Sequence, residues 1–450
     1  MDSVIYGNDF GSQKVKNIFE EESIVESWIK FEVALAVAQG ELGIIPKEAA
    51  DEIKAKGSLK YIKVERVAEI YSQTMLSSVS LIRAFKEICE NGAGEYIHFG
   101  ATTQDVFDST LAFRLKEVMD IFEGDLCTIR ESLNELADRY RNTIMPGRTH
   151  GQQALPITFG FKAAYWSDAI SKHIERFQEA RKRILVGTVS GAVGNYSSFY
   201  LLAGDEEKCR EMEKRVLDTF GLHVPDITIQ PHLERLAEFM NLLLMLTVSF
   251  GKIADEIFLL QRNEFAEMEE PFDTEHQISS STMPQKRNPN RCELIRALSL
   301  KIRSNAAAFS NIAMQQERDH APFYLEDLVI PETCVLMSTM LEAAKFVLGK
   351  LVVKENKMAE NVELTGGLLM TEAVMLALAK KTGRKETGFQ IVHNVAMEAF
   401  EKGVNFKDHM GNYPEVNKYF TKEEIKSVLD PAQYLGLNDQ LIDGIINKKS

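Results

Sequence analysis

The chain has 450 residues, 45% of them hydrophobic and 26% charged, which is the make-up of a soluble globular protein with more than one ordinary core. Its formal charge of −14 argues against a basic nucleic-acid-binding face. That charge leaves room for a small anionic substrate, because local groups set the field inside a pocket.

The N-terminal stretch Met1–Tyr6 has no basic start followed by an apolar core, so no signal peptide is expected. Residues 1–111 read as a small helical domain. From Phe19 to Gly43 the apolar residues Ile24, Trp28, Phe31, Leu35 and Val37 fall at helical spacing, and Gly43 and Pro46 end the run. A second helix is expected over Val64 to Cys89. In His98–Asp105, the pair Thr102-Thr103 followed by Asp105 has the composition of a helix N-cap. Such an end also offers free N–H groups and two hydroxyls to a carboxylate.

Residues 112–355 carry the strongest periodicity. Leu115, Phe122, Ile129 and Leu136 recur every seven residues, as do Met119, Leu126, Leu133 and Tyr140, which predicts a bundle seam. Within this span, Gly147-Arg148-Thr149-His150-Gly151-Gln152 sets a histidine beside glycine, so His150 reads as a loop rather than a core residue. Val186 to Tyr200, with three glycines, is expected to be a hairpin or an irregular loop; it lacks the Lys-Ser/Thr of a phosphate loop. The proline-free stretch between Pro231 and Pro271 predicts a helix of roughly 50–60 Å. Its most apolar run, Leu242 to Phe250, is too short to span a bilayer.

Residues 279–290 break the helical pattern. Three consecutive serines favour loop, and Pro284 and Pro289 stiffen both ends of a polar set. A helix is expected from Asn290 to Gln316, with Glu293 in its first turn. Pro331 predicts a kink in the next helix. Residues 356–450 read as a third, smaller helical domain with amphipathic stretches at Glu363–Lys380 and Thr387–Lys402. The expected fold is therefore all-α, in three helical domains, with a central long-helix bundle. Seams of this length are expected to need partners from other chains, hence a homo-oligomer with a shared helical core. Five scattered cysteines include no Cys-x-x-Cys pair, which fits a reducing cytoplasm.

The run Ser279-Ser280-Ser281-Thr282-Met283-Pro284-Gln285-Lys286-Arg287-Asn288-Pro289 resembles the signature of the fumarase/aspartase superfamily, with Ser279 where that family usually has Gly. Gly147 to Gly160 resembles the family's second conserved region. The resemblance implies a mobile loop that closes over a small dicarboxylate substrate, with Ser280 as catalytic base and Lys286 and Asn288 as helpers. It implies His150 in proton transfer, held by Glu293. It places a substrate carboxylate at Thr102, Thr103 and Asp105, and adds Thr149, Gln152 and Arg318 as binding residues. It also implies a homotetramer whose active sites are shared between subunits. Such chemistry removes a proton beside a carboxylate and expels a group from the next carbon. It requires no metal or organic cofactor, and neither nucleic acid nor membrane is an expected partner.

Phe19 through Glu48 and the C-terminal segment from Leu364 to His409 resemble the branch holding adenylosuccinate lyase and 3-carboxy-cis,cis-muconate cycloisomerase. Of the features of the nucleotide-binding enzymes, Glu317-Arg318-Asp319 is present and several others are absent. No Arg stands near Ile5-Tyr6-Gly7-Asn8, no His falls in Gln73–Ser78, and Asp327 falls where a phosphate-binding Arg is expected. The leading expectation is a lyase that releases fumarate from an N-succinyl compound. Cycloisomerase chemistry and a non-catalytic, crystallin-like oligomer are the alternatives.

Overall fold

The computed structural model describes residues 10–314, 316–317 and 319–448. Among them are eighteen α-helices and two two-stranded ribbons, so the fold is all-α. The chain forms two compact units, one of Met1–Asp125, His173–Val248 and Leu298–Glu342, the other of Leu126–Lys172, Ser249–Ala297 and Ala343–Ser450. The division falls inside five long helices: Thr103–Arg139, Phe159–Ile184, Glu234–Leu260, Asn290–Ile312 and His320–Gly349. The last of these runs through Pro331.

In the first unit, the helix Glu21–Glu41 buries Val25, Ile29 and Ala36 against Ile53, Val67, Ile70, Leu81 and Phe85. The single helix expected over Val64–Cys89 is two, Val64–Thr74 and Ser77–Lys86. The break is at Met75, which adopts a left-handed conformation with φ 54°. Thr74 and Ser80 reinforce it, their hydroxyls bonding to each other and to nearby carbonyls, as these residues do when they compete with a helix ladder. Val186 to Tyr200 is not a hairpin. Its glycine-rich part is an irregular loop, stitched to the Thr103 helix where the Ser109 hydroxyl bonds both the N–H and the C=O of Thr188.

In the second unit, the sequence reading missed a hairpin. Strand β1 (Ile144–Thr149) pairs antiparallel with β2 (Gln152–Thr158), with an irregularity between Gly147 and Arg148. Only short polar/apolar alternation marks it, interrupted by two prolines, which hides it from a pattern search. The C-terminal helices Thr371–Thr382 and Lys385–Lys402 share a core of Val374, Leu378, Ile391, Val395 and Phe406. The helix expected to start at Glu363 is interrupted by Gly366 and Gly367, whose φ values of 60° and 90° suit glycine.

The seven-residue seam of the Thr103 helix does not await a partner. Leu115, Met119, Phe122, Leu126, Ile129 and Leu133 are all fully buried within one chain. A chain with several long helices of its own covers that stripe itself. Other large apolar residues on the long helices stay exposed, among them Val248, Leu300 and Leu328, at 50%, 70% and 68%. No single helix among the described residues is long and apolar enough to cross a membrane.

Candidate active site

The hairpin places His150. β1 ends at Thr149 and β2 begins at Gln152, so His150 and Gly151 alone form the turn. Both have positive φ, 54° and 74°. Two central residues with positive φ define the type I′ turn that matches strand twist, normally built from Asn-Gly or Gly-Gly. Histidine in the first position is strained by roughly 1–2 kcal/mol, and this strain marks it as a functional candidate. Thr149, His150 and Gln152 are all exposed at the tip.

The base of the hairpin is rigid. Arg148 makes a two-pronged ion pair to Glu267, at 2.9 and 2.5 Å, and Glu267 is fully buried. Asn361 donates to the same carboxylate at 2.8 Å and accepts from Gln153 through its backbone carbonyl. Sequence reading missed this clamp, because its bonded partners lie 94 to 208 residues apart and carry no shared motif.

The signature loop is closed at its base by Ser279 and Asn288. The Asn288 N–H donates to the Ser279 hydroxyl at 2.6 Å, and the Asn288 side-chain amide donates to the Ser279 carbonyl at 2.8 Å. The residue that departs from the family pattern thus supplies a bond that glycine cannot. Inside the loop the Ser280 Oγ accepts from the backbone N–H of Met283 at 3.0 Å and, more weakly, of Thr282 at 3.4 Å. Lys286 is exposed. After the loop, the Asn290 helix is capped by the buried carboxylate of Glu270, which accepts from the N–H groups of Arg291 and Cys292. Burial nonetheless raises the Glu270 pKa. Glu293 is exposed in that first turn and makes no hydrogen bond to His150 within the chain.

In the first unit, Thr102 stands immediately before the helix Thr103–Arg139. Its N–H donates to Asp105 at 3.0 Å. Asp105 was expected to meet substrate, but it has no exposed surface. Its carboxylate also accepts from the N–H groups of Ser190 and Gly191, at 3.0 and 3.1 Å, and so pins the glycine loop to the helix start. Burial pushes its pKa up to about 7, against the pull of those three donors and of His98. Burial alone would lower the pKa of His98, but the Glu32 carboxylate 2.7 Å away outweighs it and the net shift is upward.

Thr103 bonds to the Ser78 hydroxyl at 2.9 Å and lines a cavity of about 650 Å³. Tyr71, Phe107, Phe323 and Tyr324 line it too, with Phe107 and Phe323 stacked at 5.2 Å. These aromatic rings come from three separate segments, which is why the sequence did not single them out. Asp327, expected at a phosphate position, is not among the lining residues; burial raises its pKa, and the nearby charge of Arg114 offsets only part of that rise. The acids on the cavity are Glu317 and Asp319. Arg318 and Ile5–Asn8 lie outside the described residues.

The chain thus carries an all-α fold of long helices, a serine loop with two N–H donors aimed at the Ser280 hydroxyl and, in the first unit, a helix start that lines a cavity. Residues 10–304 match the family profile described as Lyase, and residues 367–445 match that of the adenylosuccinate lyase C-terminus. The chain belongs to this lyase family, the fumarase/aspartase superfamily. Adenylosuccinate lyase of Methanocaldococcus jannaschii is 42% identical over 98% of this chain and 95% of the relative. N-acetyl-S-(2-succino)cysteine lyase of Dickeya dadantii is 35% identical over 99% and 96%. Among solved structures, 3-carboxy-cis,cis-muconate lactonizing enzyme from Pseudomonas putida superposes with a TM-score of 0.88 at 26% identity, over 99% of this chain and 98% of that one.

Proposed function

We propose that this lyase eliminates fumarate from a succinylated amine or thiol, with Ser280 as the base. The observation that carries the reading is the pair of backbone N–H groups directed at Ser280 Oγ. A hydroxyl is a poor base until its alkoxide is stabilised, and donors already in place supply part of that stabilisation. Ser280 takes the proton from the carbon next to a substrate carboxylate, and the electron pair moves into that carboxylate. Lys286, Asn288 and the Thr102-Thr103 helix start hold the added charge, with Thr149, Gln152 and Arg318 binding the rest of the substrate. The bond from the neighbouring carbon to nitrogen or sulfur then breaks, and His150 returns a proton to the leaving atom.

His150 and Glu293 are both exposed and unbonded to each other in one chain, which supports their meeting residues of other subunits in a homotetramer. The names of the two sequence relatives bracket the leaving atom: nitrogen in adenylosuccinate, sulfur in the succinated cysteine. The similarity to the muconate lactonizing enzyme favours a second reading, in which the same base works on a lactone. Incubation with a panel of N- and S-succinyl compounds, and separately with 3-carboxy-cis,cis-muconate, separates the two. Fumarate release from the panel is the expected result. Turnover of the muconate alone would transfer the assignment to the cycloisomerase, and turnover of nothing would leave the oligomer non-catalytic.

A further inference from the structure

Resting on that reading, we infer that Glu213 is a positioning residue of the reaction: it closes the neck of the glycine loop 188–196 and, through that loop and Asp105, holds the Thr102-Thr103 helix start in place for the substrate carboxylate. Glu213 lies on the helix Glu206–Phe220 and has no exposed surface. Its two carboxylate oxygens take one donor each. Oε1 accepts from the Val189 N–H at 2.9 Å, and Oε2 accepts from the Tyr196 hydroxyl. These donors sit on opposite limbs of the loop. The limbs are also joined directly, the Tyr196 N–H donating to the Ser190 carbonyl at 2.9 Å. Tyr196 holds a left-handed conformation, φ 58°, which is costly for a bulky side chain and persists only where its surroundings impose it. The bond from its hydroxyl to a buried carboxylate is such a restraint.

From the neck the restraint runs to the site. Ser190 and Gly191 give their N–H groups to Asp105, whose carboxylate also takes the Thr102 N–H at 3.0 Å. The Gly191 carbonyl accepts from Gln230 at 2.9 Å. Gln230 lines the same cavity as Thr103, together with Ala192 and Val193 at the loop tip. A slack neck therefore loosens both the tip and the acid that fixes the helix start. In the proposed reaction that helix start meets a carboxylate that gains negative charge as the proton leaves. Misplacing it costs more in the transition state than in the bound substrate, so the loss falls on kcat rather than on KM.

The test compares Tyr196→Phe, Glu213→Ala and Glu213→Gln with the natural protein, on whichever of adenylosuccinate and an S-succinylcysteine releases fumarate. Values of kcat and KM are taken per folded chain, well below each variant's thermal midpoint. Tyr196→Phe removes one donor and keeps the ring, so it tests the neck even where Glu213→Ala fails to fold. Both variants should lower kcat by about tenfold or more with KM changed by less than about threefold. Glu213→Gln should recover most of kcat, because its amide oxygen accepts from Val189 and its NH2 group donates to the Tyr196 oxygen. A natural kcat per folded chain in Tyr196→Phe and in the folded Glu213 variants, with only the midpoint lowered, makes Glu213 structural and overturns the inference while the lyase reading stands. A raised KM at unchanged kcat overturns it as well, since the loop would then serve binding alone. No fumarate from the natural protein with any N- or S-succinyl compound of the panel removes the lyase reading and the inference with it.

Discussion

His150 holds a left-handed conformation that asparagine adopts more readily, and this makes a clean experiment. His150→Asn should keep the turn, with stability unchanged to within about 1 kcal/mol or slightly improved, while turnover falls by about 10²–10⁴-fold. A fall in thermal midpoint paralleling the loss of activity would make His150 structural instead. Ser280→Ala is expected to abolish turnover and leave the fold intact, since a half-exposed hydroxyl on a loop adds little to stability; a variant retaining a tenth of normal activity would remove Ser280 as the base. Asp105 makes a prediction in pH. Its folded pKa of about 7 lies above the unfolded value, so the folded state holds the extra proton between about pH 4 and 7. Its contribution to stability is full below the unfolded pKa and is lost as pH rises through about 7. Melting curves of the natural protein and of Asp105→Asn, compared across pH 4–8, should show the natural protein's relative stability falling with pH and then levelling. A pH-independent difference would mean that the three N–H donors hold Asp105 ionised throughout.

At the scale of elements, a buried clamp supports the tip that carries His150. Removing Arg148 leaves Glu267 buried with only the Asn361 amide to its carboxylate, and breaking such a pair costs about 3–5 kcal/mol. Arg148→Ala should therefore lower the denaturation midpoint and also reduce turnover, because a displaced hairpin misplaces His150. Denaturant titration paired with kinetics checks both, and an unchanged midpoint would show that the ion pair is replaceable by water. The signature loop is held differently, by two bonds between Ser279 and Asn288 rather than by buried charge. These are worth about 0.5–1.5 kcal/mol each, a strength compatible with a loop that opens and closes.

For the whole molecule, the exposed apolar residues Val248, Leu300 and Leu328 are the candidates for a surface between copies. If the proposed homotetramer uses this surface, the natural protein should sediment as four chains and Leu300→Lys as fewer, with activity lowered in parallel because the proposed sites are shared. An active monomer would contradict shared sites. The seam that first suggested assembly proved to be covered inside the chain. Periodicity reports that a stripe is buried and is silent on whether the covering helix belongs to the same chain.

Local order decided much about this protein. The helical class, the long Thr103 helix and the loop at 279–290 were legible because spacing and composition act over a few residues; Ser280, Lys286 and Asn288 were singled out only by the order of residues shared with the family signature. The glycines after Val186 marked a hairpin or an irregular loop, and the structure decided for the loop. Contacts between distant segments were decided by the tertiary structure alone. It broke the Val64 helix at Met75, folded Gly147–Gln152 into a hairpin tip and buried Asp105 under the glycine loop. It gathered Phe107, Phe323 and Tyr71 around one cavity and left Asp327 outside it. Burial, strain and field at a site are sums over neighbours that the chain brings from far apart, and no local pattern encodes them.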